Sequence, residues 1–224
     1  MTTPFYVAPE QMMKDRADYA RKGIARGRSL IAMAYEHGVF ICAENPSSTL
    51  HKVSEIYDRI AFAGVGKYNE FDQLRIAGIR HADLKGFTYS REDVEARSLA
   101  NNYAQMLGQT FTHEMKPLEV EILVAEITDV PGEEQLFHIL YDGTVNDQRD
   151  FVVLGGDSEA ISDRVRGAFK PGLSAADALE IARSALAGDD RTLADGELEV
   201  AMLNRTLGRR TFQRIDDVQI ANLA

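Results

Sequence analysis

The run SLIAMAYEHGVFICA, residues 29–43, decides the fold. Ser29 to Tyr35 and Val39 to Ala43 are mostly apolar segments of strand length, and the polar turn Glu36-His37-Gly38 joins them. Two such segments around a short Gly-containing turn predict a buried β-hairpin. Cys42, the only cysteine, lies inside the second strand between Ile41 and Ala43. A free thiol in that setting behaves as a small hydrophobe, and one cysteine alone supports neither an internal disulfide nor a cysteine-rich metal site. A reducing compartment is the natural expectation.

Upstream of the hairpin, Met13, Ala17, Ala20 and Ile24 step by four, three and four, which lines one face of a helix over Pro9 to Ile24. Pro9 suits the first turn, and Glu10 complements the positive end of the helix dipole. Lys14, Asp15, Arg21 and Lys22 occupy the opposite face. Gly23 and Gly27 then break the helix before the hairpin begins, so the apolar stripe predicts a partner on another chain.

Downstream, Asn45 to Thr49 reads as a loop and Lys52 to Gly66 as further strand. Helical patterns follow at Tyr68–Ala82 and Glu92–Phe111, the second with a capping arrangement of Ser90 and Asp93. Strands return at Val120–Thr128, Gln135–Tyr141 and Phe151–Leu154. Helices follow at Asp157–Phe169 and Ser174–Ala187, then strands at Leu198–Asn204 and Thr211–Ile215. Paired helices between antiparallel strands predict an α+β fold, a four-layer α-β-β-α sandwich. Strict βαβ alternation would have meant a doubly wound sheet. The expected organisation is an N-terminal segment and helix, residues 1–27, ahead of a sandwich domain, residues 28–224.

Composition narrows the function. The 224 residues are 45% hydrophobic, enough for a real core, and carry 35 acids against 25 Lys and Arg, a net charge of −10. Nucleic-acid binding would need a local basic patch, and nothing at whole-chain level supports one. No apolar run approaches a membrane span, and the start lacks the features of an export signal, so a soluble, unexported, cytoplasmic chain is expected. Phosphate-loop, dinucleotide, nucleophile-elbow and zincin motifs are absent from the sequence. The five histidines are scattered without an i, i+3 or i, i+4 pair, which predicts no metal site and no cofactor. Gly155-Gly156 before a helix could hold an anion, but Asp157 would repel it and reads as the helix N-cap. Lys52, just after the polar loop, could face a carboxylate as a point charge or be an ordinary surface lysine.

Several stretches in register carry a resemblance: Pro9 through Tyr19-Ala20-Arg21, Arg26-Gly27, Gly38 through Glu44, and Ser54-Glu55-Ile56-Tyr57. Together they resemble the α-type subunits of the 20S proteasome, most closely the actinobacterial version. The family's α signature begins Ser-Pro and runs to Glu-Tyr-Ala. This chain has Ala8-Pro9 and Asp18-Tyr19-Ala20 with about one extra residue between, and it lacks the Tyr-Asp-Arg gate motif of archaeal and eukaryotic α subunits.

The resemblance implies the N-terminal-nucleophile hydrolase fold without its chemistry. Active β-type subunits start at a processed threonine, which a lysine activates and an acid supports. Strand matching puts the threonine's position near Arg28, the lysine's near Glu55 and the acid's at Glu44, so no catalytic residue is expected. The alternative is a self-processing amidohydrolase of the same fold, cleaved before Ser29. The resemblance also implies a seven-membered ring built through Met13, Ala17, Ala20 and Ile24, and an axial gate containing Phe5, Tyr6 and Val7. It further implies an activator pocket at Lys52 and Gly27. The implied partners are β subunits, other copies of the chain, a ring-shaped ATPase that delivers pupylated proteins, an ATP-independent activator, and unfolded substrates.

Overall fold

The computed structural model describes residues 8–223. The expected hairpin forms as β1 (Leu30–Tyr35) and β2 (Gly38–Glu44), antiparallel and in register from Leu30 opposite Ala43 to Tyr35 opposite Gly38. Strands β9 (Leu198–Asn204) and β10 (Phe212–Ile215) extend it on one side and β8 (Phe151–Leu154) on the other, giving the order β10-β9-β2-β1-β8. A second sheet runs β3 (Val53–Tyr57), β4 (Ile60–Gly66), β5 (Val120–Glu126), β6 (Gln135–Ile139) and β7 (Val145–Gln148).

Each sheet is apolar on both faces, which is why the deciding run alternates so weakly. Leu30 and Ala32 point into the layer between the sheets, while Ile31, Met33 and Tyr35 point outward. The outward set packs under α4 (Ser158–Ala168), α5 (Ala175–Ala187) and the short α6 (Asp217–Leu223). On the second sheet, α2 (Tyr68–Thr88) and α3 (Ala96–His113) cover Phe62, Ile122 and Val124. The four-layer sandwich is therefore the observed architecture. Small side chains, Ala32, Ala43, Ala61, Ala63 and Ala125 among them, line the gap between the sheets and let them approach closely.

Helix α1 (Pro9–Ile24) has the expected bounds, and part of its apolar stripe meets this chain's own core. Ala20 and Ile24 are 0% and 2% exposed within this chain and belong to the layer between the sheets, with Ala17 packed against it. The helix closes one end of the sandwich and is part of its core.

Other differences have local causes. Lys52 to Gly66 is two strands, because Asp58-Arg59 makes a turn between Tyr57 and Ile60. Helix α2 continues to Thr88, and α3 starts only at Ala96. Ser90 accepts from the Glu92 N–H at 3.4 Å and caps a 3-10 turn, Arg91–Asp93; the first N–H of α3 goes instead to the Glu126 carboxylate, at 2.8 Å. Strand β7 carries polar, partly exposed residues at a sheet edge, and α6 is a single short helix, so neither leaves a strong apolar period.

Gly78 fixes the approach of α2 to α3. A Cβ there would overlap the hydroxyl of the fully buried Tyr103 and stand 2.7 Å from its Cζ. Gly78→Ala should therefore destabilise the chain by about 1–3 kcal/mol. In the Tyr103→Phe background, which clears the hydroxyl, the same change should cost less. Denaturant unfolding of the four proteins checks this, and additive effects would contradict the stated contact.

Candidate functional site

Where α1 ends, the chain turns back over the tip of the second sheet. Gly27 crosses so close to β4 that a Cβ would stand 2.8 Å from the Gly66 nitrogen, and Gly66 itself has φ of 109°, a conformation only glycine adopts freely. Gly27 is thus required by packing. The turn delivers Arg28 to the edge of a cavity of about 530 Å³ bounded by the exit of α1, Ser29, Glu44, the Gly156-Asp157 entry to α4 and residues 186–191 after α5.

Two arginines hold Glu44, whose side chain is 7% exposed. Arg28 pairs with its Oε1, and Arg191 bonds both oxygens at 3.0 and 3.2 Å. Burial raises the pKa of this carboxylate, but Arg191 and Arg28 outweigh it and hold the group below its ordinary range.

Lys52 meets the same turn at the Arg28 backbone and does not itself line that cavity. Its Nζ donates to the Arg28 carbonyl oxygen at 2.5 Å, its only hydrogen-bond acceptor among the described residues. Burial pushes the lysine down to about 8, with Glu199 and Glu44 opposing the shift and Arg28 adding to it. A backbone carbonyl carries no formal charge, so this half-buried cation is incompletely neutralised.

Glu199, a buried acid inside β9, holds the loop that carries Lys52. It accepts from the backbone N–H of Lys52 at 2.8 Å and of Val53 at 3.1 Å, from Asn45 Nδ2 at 2.7 Å, and from Arg214 Nη1 at 2.5 Å. Sequence reasoning missed Glu199, Asn45, Arg191 and Arg214. The available signal was an acid within the apolar run Leu198 to Leu203.

The sequence-derived site residues fall into distinct places. Lys52, Gly27, Arg28 and Glu44 come together as described. Glu55 is a correction: it accepts from Arg210 at 2.6 to 3.0 Å, and the charged side chain that reaches Arg28 from this part of the chain is Lys52. Two of the four stripe residues are a second correction. Ala20 and Ile24 are consumed by this chain's own core, Met13 and Ala17 are half-buried, and the large exposed apolar residues of α1 are Met12 and Tyr19. Phe5, Tyr6 and Val7 lie outside the described residues. Asp157 sits at the N-cap of α4 but makes no side-chain cap bond. Cys42 is fully buried, and burial pushes its thiol up to about 12, as expected for a packing residue. Among the described residues no three His, Cys, Asp or Glu side chains gather as a metal-holding group, and no helix is long and apolar enough to cross a membrane.

Residues 24–203 match the family model described as proteasome subunit. Curated relatives agree over nearly the whole chain. A proteasome subunit alpha from Acidimicrobium ferrooxidans is 64% identical over 216 residues, covering 96% of this chain and 93% of that protein. Proteins of the same name from Xylanimonas cellulosilytica and Thermobifida fusca are 53% and 52% identical, covering 96% and 100% of this chain and 93% and 91% of theirs.

The Glu44 pairing generates a test. Its pKa is depressed on folding, so it contributes stability that is complete above the ordinary carboxylate range and is lost as pH falls through the folded value. Glu44→Gln should lower stability at pH 7 by about 1–2 kcal/mol, the scale of charge-assisted bonds to half-exposed arginines. The deficit should shrink on acidification. A deficit that stays constant from pH 7 to pH 3 would contradict the ion-pair account.

Proposed function

The chain belongs to the proteasome subunit family as an α subunit of the core particle, and from that premise we propose that it is the noncatalytic, gating member of the core. In this reading seven copies form each outer ring, which scaffolds the β rings, admits unfolded or pupylated proteins and docks two activators in the cytoplasm. The activators are a ring-shaped ATPase and an ATP-independent ring.

One observation carries the reading: position 28, where an active relative would have its N-terminal nucleophile, holds an arginine bonded to Glu44 and preceded by an intact helix seated in the core. An arginine offers no nucleophile at usable pH, and its α-nitrogen is a peptide amide. The self-processing alternative would have to free Ser29, which is buried.

The surroundings of Lys52 support a carboxylate-receiving pocket. A chain-terminal carboxylate from an activator would give its ammonium the anion that the Arg28 carbonyl is not. Met12 and Tyr19, 44% and 47% exposed, and the wholly exposed Met115 suit the lateral contact between copies, with Lys116 Nζ standing 5.5 Å from the Tyr19 ring centroid.

Lys52→Ala should weaken each engaged pocket by about ten- to a hundredfold, the equivalent of a charge-assisted bond of roughly 1.5–3 kcal/mol. Unstimulated peptide hydrolysis by assembled particles is the control. The pH dependence has a defined sign. Burial already holds Lys52 at about 8 in the single chain, so activator-stimulated degradation should fall as pH rises from 7 to 9. In Lys52→Arg particles, which keep the charge, stimulation should be weaker but flat from pH 7 to 9. Equal stimulation of wild-type and Lys52→Ala particles at every pH would remove Lys52 from the pocket.

Deleting residues 1–8 tests the gate separately. Hydrolysis of short peptides by intact αβ particles should rise, and unchanged hydrolysis of both peptides and an unfolded protein would exclude a gating role.

A further inference from the structure

A carboxylate buried within a strand must be surrounded by donors, and Glu199 of β9 draws its donors from well beyond its own sheet. The β2–β9 register sets Ala43 opposite it, and alanine makes no claim on the side chain. Glu199 crosses instead to the start of β3. Its Oε2 accepts from the Lys52 N–H at 2.8 Å and from Asn45 Nδ2 at 2.7 Å. Its Oε1 accepts from the Val53 N–H at 3.1 Å and from Arg214 Nη1 at 2.5 Å. His51 Nδ1 stands 3.4 Å from the same oxygen.

These bonds grip both ends of one loop. Asn45 Nδ2 also donates to the Leu50 carbonyl at 2.7 Å, and the Lys52 carbonyl accepts from the Gly64 N–H at 3.1 Å. The Lys52 side chain therefore starts from a fixed backbone and reaches the Arg28 carbonyl at 2.5 Å.

Charge adds a second relation between the two residues. The Lys52 ammonium makes no ion pair among the described residues, and burial disfavours its charged form. Glu199 and then Glu44 oppose that effect, while Arg28 adds to it. Glu44 is shared by two arginines, Arg28 and Arg191. Glu199 has one, Arg214, with His51 beside it. A neutral acceptor at position 199 would leave Lys52 among cations with only the doubly paired Glu44 to offset them.

We propose that Glu199 is the positioning residue of the Lys52 pocket: its donors fix the backbone from which Lys52 extends, and its carboxylate is the through-space counter-charge of the ammonium. The proposal rests on the carboxylate-receiving reading of that pocket and adds a division of labour to it. An acid bonded directly to Nζ would have to be displaced before an activator's terminal carboxylate could dock. Glu199 is held at the backbone by its own donors, so it supports the cation and leaves the face of the ammonium to the incoming group.

The experiment reads the titration midpoint of Lys52 in assembled αβ particles by competitive labelling with trace acetic anhydride from pH 6 to 10, followed by peptide mass analysis. Activator-stimulated degradation is measured over the same range. Unstimulated peptide hydrolysis and melting temperature report assembly and folding. Glu199→Gln should move the midpoint down from about 8, by about half a pH unit or more, and stimulation should be lost at correspondingly lower pH. The direction separates charge from damage, because a loop that merely loosened would readmit water to the ammonium and move the midpoint up. Glu199→Asp, which keeps the charge, should hold the midpoint near the wild-type value. Asn45→Ala removes a tether without changing charge. It should weaken stimulation by about two- to tenfold at every pH, the equivalent of one lost hydrogen bond, with no fall in the midpoint. If Glu199→Gln fails to assemble, Asn45→Ala decides the positioning role alone. An unmoved or raised midpoint in folded Glu199→Gln, or full stimulation of Asn45→Ala, would overturn the proposal and leave the pocket standing wherever Lys52→Ala still loses stimulation. Equal stimulation of wild-type and Lys52→Ala particles would overturn the pocket itself, and this proposal with it.

Discussion

Everything distinctive about this molecule depends on α1 closing the open end of the space between the two sheets. Two sheets lined with alanine on their facing sides leave a narrow apolar slot, and its end must be sealed from water by something equally narrow. Ala20 and Ile24 do this as members of the same core layer as Leu30 and Val65. Once α1 is seated, the chain has only Ala25 to Ser29 in which to leave the helix and enter β1. That constraint forces Gly27 against Gly66 and sets Arg28 over Glu44. The Arg28 carbonyl then meets Lys52, and the electrostatics of the site follow from a packing requirement.

The same constraint explains what was legible in the sequence. The bounds of α1 could be read because its stripe has a clean period, but a stripe does not say which surface it meets, and the nearest one available was the chain's own slot. The hairpin and the four layers could be read because apolar length and element order depend on local composition. The start of α3 could not, because its first N–H is satisfied by Glu126 from a strand 30 residues away in sequence, and no local pattern encodes that bond.

The candidate site was half legible for a related reason. Gly27, Lys52 and Glu44 lie within or beside segments that carry the family resemblance. Arg191, Glu199 and Arg214 come from the last quarter of the chain, and only the pairing of β9 with β2 and β10 brings Glu199 and Arg214 there. Glu199 is the more informative omission. A single buried carboxylate accepting from two backbone N–H groups, an asparagine and an arginine is a structural clamp, and it holds the Lys52 loop rigid without touching the ammonium's own acceptor. Glu55, the residue that strand matching favoured, is spent on Arg210 because β3 runs along an edge where β10's approach segment is the nearest source of cations.

The proposed ring constrains the site further. A ring of more than two identical subunits closes through a heterologous contact, in which the patch on one copy meets a different surface of the next. Met12 and Tyr19 project from the flank of the helix whose other face is buried in this chain, so a neighbour seated on them would lie beside the α1 exit. Arg28 and Lys52 follow directly from that exit. In the ring proposed above, a pocket built there would be walled partly by its own chain and partly by the next, and would reach its full depth only on assembly. Burial already lowers the Lys52 pKa in the single chain, and further walling would remove more water from the same ammonium. On the proposed reading, assembly would raise the advantage of an incoming carboxylate over solvent while the lysine stays protonated, and would so tie activator docking to ring formation through one half-neutralised cation.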